Sequence, residues 1–273
     1  MKSKYSFGIL NKEVVPINLK ASFESEMADE GLYGMVVDIL EEKEDDWYLV
    51  ETSYNYQGYV HSSNMVLDDK RAELWREKAQ TRVHHNIVDA MPNPSYKGYI
   101  VQALTKGALL ISTGKEKDNW IEIELIDERK AWIRKDFQRP KVEVGGYVDK
   151  TELRYKLVDT ALSYLGTQYR WGGKSPLGID CSGLCSISYL INGIKIYRDA
   201  VLKEDYMKEI KIEDIKAGDL IFFPGHVAMY IGEDRYIHSS SGINGVNINS
   251  LNPVHGDYKE DLAKTITGVG TIF

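Results

Sequence analysis

The sequence predicts a multidomain chain in which two small all-β barrels precede an α+β domain. Three observations carry that expectation. A set of glycine and aromatic anchors occurs twice at one offset. A helical period then sets in near Asp149. Beyond a second helix, short apolar runs alternate with turn residues to the end of the chain.

The repeat is read from Gly34, Trp47 and Tyr59, which return as Gly107, Trp120 and Trp132, each 73 positions later. Between these anchors Val36-Val37-Asp38-Ile39 corresponds to Leu109-Leu110-Ile111-Ser112, and the charged turn 41–46 corresponds to 114–119. Both copies read as short strands separated by charged or glycine-containing turns, with an aromatic residue opening each following strand. Between the copies, residues 68–82 are charged, with Leu74, Trp75 and Lys78 at helical spacing. The expected division is therefore 1–68, a linker helix over 69–83, and 84–140.

The third segment spans 150–273. Asp149 and Glu152 resemble a capping box, and Leu153, Leu157, Val158, Ala161, Leu162 and Leu165 follow at helical period. Gly166 is placed to end that helix. A glycine-rich loop, from Gly172-Gly173 to Gly178, leads into a second helix expected over 181–191 and stopped by Asn192-Gly193. Strands are expected at 220–223, 226–231, 236–239, 246–248 and 265–272. Helices followed by an antiparallel sheet make an α+β domain.

Composition narrows the function. A net charge of −7 argues against a nucleic-acid partner, which selects for a basic face. No apolar run approaches the ~20 residues of a membrane helix, and the stretch after the first lysines is too short for a signal-peptide core. These features lead us to expect a cytoplasmic protein, or an exported one whose signal has been removed.

The two cysteines, Cys181 and Cys185, lie one helical turn apart, a poor geometry for a disulfide. Cys185 reads as a small buried apolar residue. Cys181 falls where the glycine-rich loop becomes a helix. Unpaired backbone N–H groups and the helix dipole there favour a thiolate and can hold an oxyanion. Taken alone, such a cysteine is more often core than catalytic.

A nucleophilic thiol needs a base, and the base an orienting group. His226 opens one predicted strand and His238 lies in the next, across the turn 232–235. An odd-numbered loop puts both on one face as diagonal neighbours. A two- or four-residue loop puts them on opposite faces unless a bulge intervenes. Zinc is a competing use, weakened by the lack of a further acidic or histidine ligand near Cys181. His61, His84, His85 and His255 have no comparable setting.

The segment from Tyr169 through Trp171-Gly172-Gly173 to Asp180-Cys181-Ser182-Gly183-Leu184 resembles the NlpC/P60 family, as do the blocks 217–223, 226–232 and 236–238. The resemblance implies a papain-like α+β catalytic fold that hydrolyses the bond between γ-D-glutamate and a diamino acid in peptidoglycan peptides. It implies Cys181 as nucleophile, His226 as base and His238 as the residue orienting it. Tyr169 then lines the site near the oxyanion, and Asp180 and Ser182 bind substrate. No metal or other cofactor is implied.

The N-terminal repeat is similar to bacterial SH3 domains, through Asp46-Trp47-Tyr48 and Gly58-Tyr59-Val60; the second copy, Ala131-Trp132-Ile133, departs at the glycine. Two SH3-like barrels before such a domain resemble the dipeptidyl-peptidase branch, which cuts free peptides beginning L-Ala-γ-D-Glu. Within that resemblance Asp199, Glu26 and Tyr56 complete a pocket for the substrate's amino group, while Ala200 replaces a serine common after Arg198-Asp199. The expected partner is thus a peptidoglycan-derived peptide, with neither nucleic acid nor membrane, and oligomeric state is left open. Two other readings are a wall-binding protein with an inert last domain and a muramoyl-alanine amidase.

Overall fold

The computed structural model describes residues 3–143 and 149–273. The chain divides into two compact units, Met1–Lys141 and Val142–Phe273.

In the N-terminal unit β1 (Phe7–Leu10), β2 (Val14–Asn18), β3 (Met27–Leu32), β4 (Val36–Glu42), β5 (Trp47–Glu51), β6 (Gln57–His61) and β7 (Met65–Val66) pair in the order β3-β2-β6-β5-β4-β1-β7. Helix α1 (Asp69–Lys78) follows. Then come β8 (Thr81–Val83), β9 (Ile87–Ala90), β10 (Gln102–Thr105), β11 (Leu109–Lys117), β12 (Trp120–Glu124), β13 (Lys130–Arg134) and β14 (Gln138–Pro140). The second set keeps the order of the first: β13-β12-β11-β8-β14 form one sheet and β10-β9 another. A single bridge, Met91↔Trp132, stands where Asn18↔Tyr59 joins β2 to β6.

Register repeats as well as order. Leu49↔Tyr59 is matched by Glu122↔Trp132, Gly8↔Val37 by Thr81↔Leu110, and Val14↔Leu32 by Ile87↔Thr105. The turns repeat too. Asp45 and Asp46, at φ 53° and 59°, lead into β5, and Asp118 and Asn119, at 47° and 64°, lead into β12. Two successive left-handed residues make a type I′ turn, whose twist suits a hairpin and which Asp and Asn tolerate.

Helix α1 begins at the cap Asp68, whose carboxylate accepts the Arg71 N–H at 3.0 Å. It ends at Lys78, sooner than the expected 69–83, because 81–83 pair as β8 with β11 and β14. Its Ala72 and Trp75 are buried in a cluster that takes Ile9 and Tyr33 from the first set of strands and Leu104, Leu110 and Ile133 from the second. The Trp75 indole donates to Gly34 O at 2.9 Å, and Ile126 N donates to the Tyr33 hydroxyl at 2.9 Å. Both strand sets therefore share one core.

In the C-terminal unit α2 (Lys150–Leu162) starts at Asp149, whose carboxylate accepts the N–H of Thr151 at 2.7 Å rather than that of Glu152. Leu153, Leu157 and Ala161 form its buried stripe, while Leu165 lies beyond the helix and is exposed. The short strands β15 (Lys174–Ser175) and β16 (Gly178–Ile179) bring the chain to α3 (Cys181–Ile191). There follow β17 (Lys208–Ile210), β18 (Leu220–Phe223), β19 (His226–Gly232), β20 (Arg235–Ser240), β21 (Gly245–Ser250), helix α4 (Glu260–Ala263) and β22 (Gly268–Thr271). The strands form one antiparallel sheet, β17-β22-β18-β19-β20-β21. The short strand β17 lies outside the expected set, and the expected 265–272 strand is trimmed to β22.

Candidate active site

Cys181 is the first residue of α3, after the cap Asp180. The cap carboxylate accepts from Gly183 N at 2.5 Å, Ser182 Oγ at 3.2 Å and Gly172 N at 2.8 Å. Arg198 grips it with both arms, at 3.1 and 3.0 Å, and also donates to Ser182 Oγ at 2.7 Å and Gly172 O at 2.9 Å. Five donors thus converge on a carboxylate with about four lone-pair sites. Both members of this ion pair are buried. Burial on that scale is tolerated because charge and hydrogen bonds are matched.

Helix and loop approach closely here. A Cβ on Gly183 would stand 2.0 Å from Gly173 O, so the first turn of α3 admits only glycine at that position. The backbone N–H groups of Val227 and Ser182 point at the Cys181 thiol, which sets the start of α3 against the start of β19. Tyr169 lies near the same thiol. Burial, then the charges of Cys181 and Asp180, push its hydroxyl up to about 12.

His226 and His238 meet on one face. His226 Nε2 and His238 Nδ1 are 2.8 Å apart, with rings edge-to-face at 5.0 Å. The turn between their strands has two residues, Glu233 and Asp234, both with positive φ. Such a turn alone would separate the histidines onto opposite faces. A register shift between Tyr230 and Gly232 inserts one residue and restores the parity.

The relay continues to a residue that the sequence reading did not single out. His238 Nε2 is 3.0 Å from Asn249 Oδ1 on β21, and Asn249 Nδ2 donates to Asp257 O at 2.9 Å. Asn249 pairs with Tyr236, which places it diagonal to His238 on the same face. Arg198 also went unassigned in sequence; its signal there was no more than its place beside Asp199.

Burial dominates the electrostatics. It lowers His226 from 6.5 to about 4, with neighbouring His238 adding to the effect, and it lowers His238 as well. It raises Cys181 above its ordinary value, reinforced by Asp180 and opposed by the Val227 and Ser182 N–H groups and Arg198. The helix-start effect expected to favour a thiolate is present but outweighed by burial. Burial thus favours the uncharged form of each of these groups. Cys185 is buried behind the site, as expected for a core residue.

Asp199 is half-buried and lines a small pocket with Ser182, Tyr197, Lys203, Phe222 and Val227. Glu26 and Tyr56 belong to the other compact unit. Glu26 is exposed just before β3, and Tyr56 closes the turn before β6 with its N–H on Thr52 Oγ1 at 3.1 Å. Close to that turn the Tyr54 hydroxyl bonds the buried carboxylate of Asp29.

A thiol on the first turn of a helix, packed against a sheet that carries a two-imidazole relay, is the architecture of a cysteine hydrolase. Residues 166–263 match the NlpC/P60 family, and residues 20–65 match the bacterial dipeptidyl-peptidase Sh3 domain. The chain is 43% identical over 253 residues to dipeptidyl-peptidase 6 of Lysinibacillus sphaericus, covering 91% of this chain and 93% of that protein. It is 27% identical over 257 residues to a gamma-D-glutamyl-L-lysine dipeptidyl-peptidase of Bacillus cereus, covering 84% and 72%. The crystal structure of an NlpC/P60 family protein from Bacillus cereus ATCC 10987 shares the fold, with a TM-score of 0.79 at 21% identity over 97% of this chain and 98% of that one. The chain belongs to the NlpC/P60 family of cysteine peptidases and carries an N-terminal SH3-like domain.

Proposed function

We propose that this peptidase hydrolyses the bond between γ-D-glutamate and a diamino acid in free peptidoglycan peptides whose N-terminal L-alanine is unblocked. The observation that carries the reading is the 2.8 Å contact between His226 and His238 on the sheet face beside the first turn of α3. The near full-length likeness to a dipeptidyl-peptidase supports the substrate class.

In this reading the Cys181 proton passes to His226 as sulfur attacks the γ-glutamyl carbonyl. Backbone N–H groups at the helix start and the Tyr169 hydroxyl stabilise the oxyanion. The protonated His226 then gives its proton to the departing amine of the diamino acid. Water, deprotonated by His226, opens the thioester and releases L-Ala-γ-D-Glu. His238 orients His226 throughout. Ser182 contacts substrate, and Asp180, saturated by five donors, acts through the Arg198 and Ser182 it holds in place. Asp199, Glu26 and Tyr56 receive the substrate's ammonium, whose burial calls for carboxylate partners.

We also read 84–140 as a second SH3-like barrel. Strand order, register and left-handed turns 73 residues beyond those of the first support this.

The test is incubation with L-Ala-γ-D-Glu-diamino acid tripeptide, free and N-acetylated. Release of the diamino acid from the free peptide alone is expected, with Cys181→Ala inactive and folded. Equal cleavage of the acetylated peptide would refute the amine pocket. Release of L-alanine, or no cleavage, would refute the proposed bond.

A further inference from the structure

We propose that Asn249 is a positioning residue that fixes the protons of the His226–His238 relay by locking both imidazoles as Nε2–H tautomers. The inference rests on the catalytic reading given above for these two histidines. It starts from the one group in the relay whose orientation is determined from outside. Asn249 is buried, and its two polar atoms face different partners. The carbonyl of Asp257 can only accept, so the Asn249 atom 2.9 Å from it is the amide nitrogen. That carbonyl also takes the Ser250 N–H at 3.0 Å, which ties it to the end of β21.

The amide oxygen of Asn249 then faces His238 Nε2 at 3.0 Å and can only accept. His238 must carry its proton on Nε2, leaving Nδ1 as a lone pair. That lone pair is 2.8 Å from His226 Nε2, which must therefore be the donor. His226 is left with Nδ1 unprotonated, the state a general base needs. When the Cys181 proton arrives at Nδ1, His226 becomes an imidazolium that still donates from Nε2 to His238. His238 keeps its proton on Asn249, so one proton moves and no charge reaches the far end of the relay.

An amide at this position also leaves the resting relay without a carboxylate partner. The charges close to His238 are Lys259 and Asp261, beside and within α4, which act in opposite directions. Those close to Cys181 are Asp180 and Arg198, already paired with each other. Across β21, Asp257 turns its carboxylate to Arg235 at 3.2 Å and only its carbonyl to Asn249. Within this set only Asp261 favours an imidazolium, and Lys259 opposes it.

The experiment uses the full chain and three variants: Asn249→Asp, Asn249→Leu and Cys181→Ala. Long-range ¹H–¹⁵N spectra of the wild type near pH 7 should show both His226 and His238 as Nε2–H tautomers. Asn249→Asp supplies a carboxylate and should move the acid limb of Cys181 alkylation by iodoacetamide to higher pH by about 1 unit or more. Asn249→Leu keeps the branching of the side chain without its polar atoms and should lower kcat on the tripeptide by about 10- to 100-fold with KM little changed. An Nδ1–H tautomer at His238, or an Asp variant with the wild-type alkylation profile, would overturn the proposal, and both readouts stand even where the Leu variant does not fold. Neither the spectra nor the alkylation needs a substrate. Failure of the wild type to cut the tripeptide would therefore count against the proposed reaction and leave the test of Asn249 intact.

Discussion

Acid should destabilise the catalytic unit through His226 in particular. Folding holds this imidazole at about 4, against 6.5 for the free side chain. Between those values the unfolded chain binds a proton that the folded one refuses. Stability therefore rises with pH through the window and falls as the solution is acidified from 6.5 towards 4. The difference of 2.5 pH units, at 1.36 kcal/mol each, makes about 3 kcal/mol, lost in full only below pH 4. His238, lowered in the same direction, adds to the loss. The assay is urea unfolding from pH 7 to pH 4 in a Cys181→Ser background, where buried Cys185 is the remaining thiol. Pulse labelling of Cys185 with an acid-active disulfide reagent then reports unfolding of this unit. His226→Gln should flatten the dependence by most of those 3 kcal/mol. Equal slopes with and without His226 would refute the reasoning, because burial would then not be holding the imidazole neutral.

Two further substitutions probe the ground under the nucleophile. Alanine inside a helix normally gains about 1 kcal/mol over glycine. Gly183→Ala should instead cost about 3 kcal/mol, because the new Cβ meets Gly173 O at 2.0 Å; thermal unfolding reads the sign directly. Asp180→Asn preserves a good N-cap but strips buried Arg198 of its counter-charge. It should cost about 3–5 kcal/mol in denaturant unfolding, and a loss below 1 kcal/mol would mean that the arginine finds water instead.

How much was readable in advance varied with the range of the interaction. Helix α3 was legible to the residue, because Asp180 caps it and Gly193, at φ 77°, ends it locally. Pairing of His226 with His238 was legible only as a condition on parity. The turn took the length that should have separated them, and a one-residue bulge reversed the outcome. Bulges of this kind answer to packing across the sheet, and the local sign of this one, Gly232 at φ 100°, reads equally well as part of the turn. Asn249 was invisible for a similar reason. Its approach to His238 depends on a connection through 241–244 with a left-handed Asn244, and on Asp257 returning from a later loop. At the thiol the expected N–H groups are in place, but burial acts against them, because a dipole argument is local and desolvation is a property of the whole fold.

The N-terminal repeat separates framework from function in a way that bears on where the substrate is read. Positions that must be alike for the strands to pair are alike: Gly34 and Gly107 both take positive φ, and Trp47 and Trp120 are both buried. Asn55 and Glu128, 73 apart, share a left-handed conformation although their side chains differ. The copies diverge where the proposed amine contacts lie. Glu26 corresponds to Tyr99, in a connection that runs 19–26 in the first copy and 91–101 in the second, and Tyr56 to Arg129, in loops of equal length. Tyr54, whose hydroxyl holds buried Asp29, corresponds to Asp127, which pairs with Arg129 instead. Glu26 and Tyr56 thus have no counterpart of the same chemistry in the second copy. On the proposed amine contact, Glu26→Lys should raise KM for the free tripeptide where Tyr99→Lys does not.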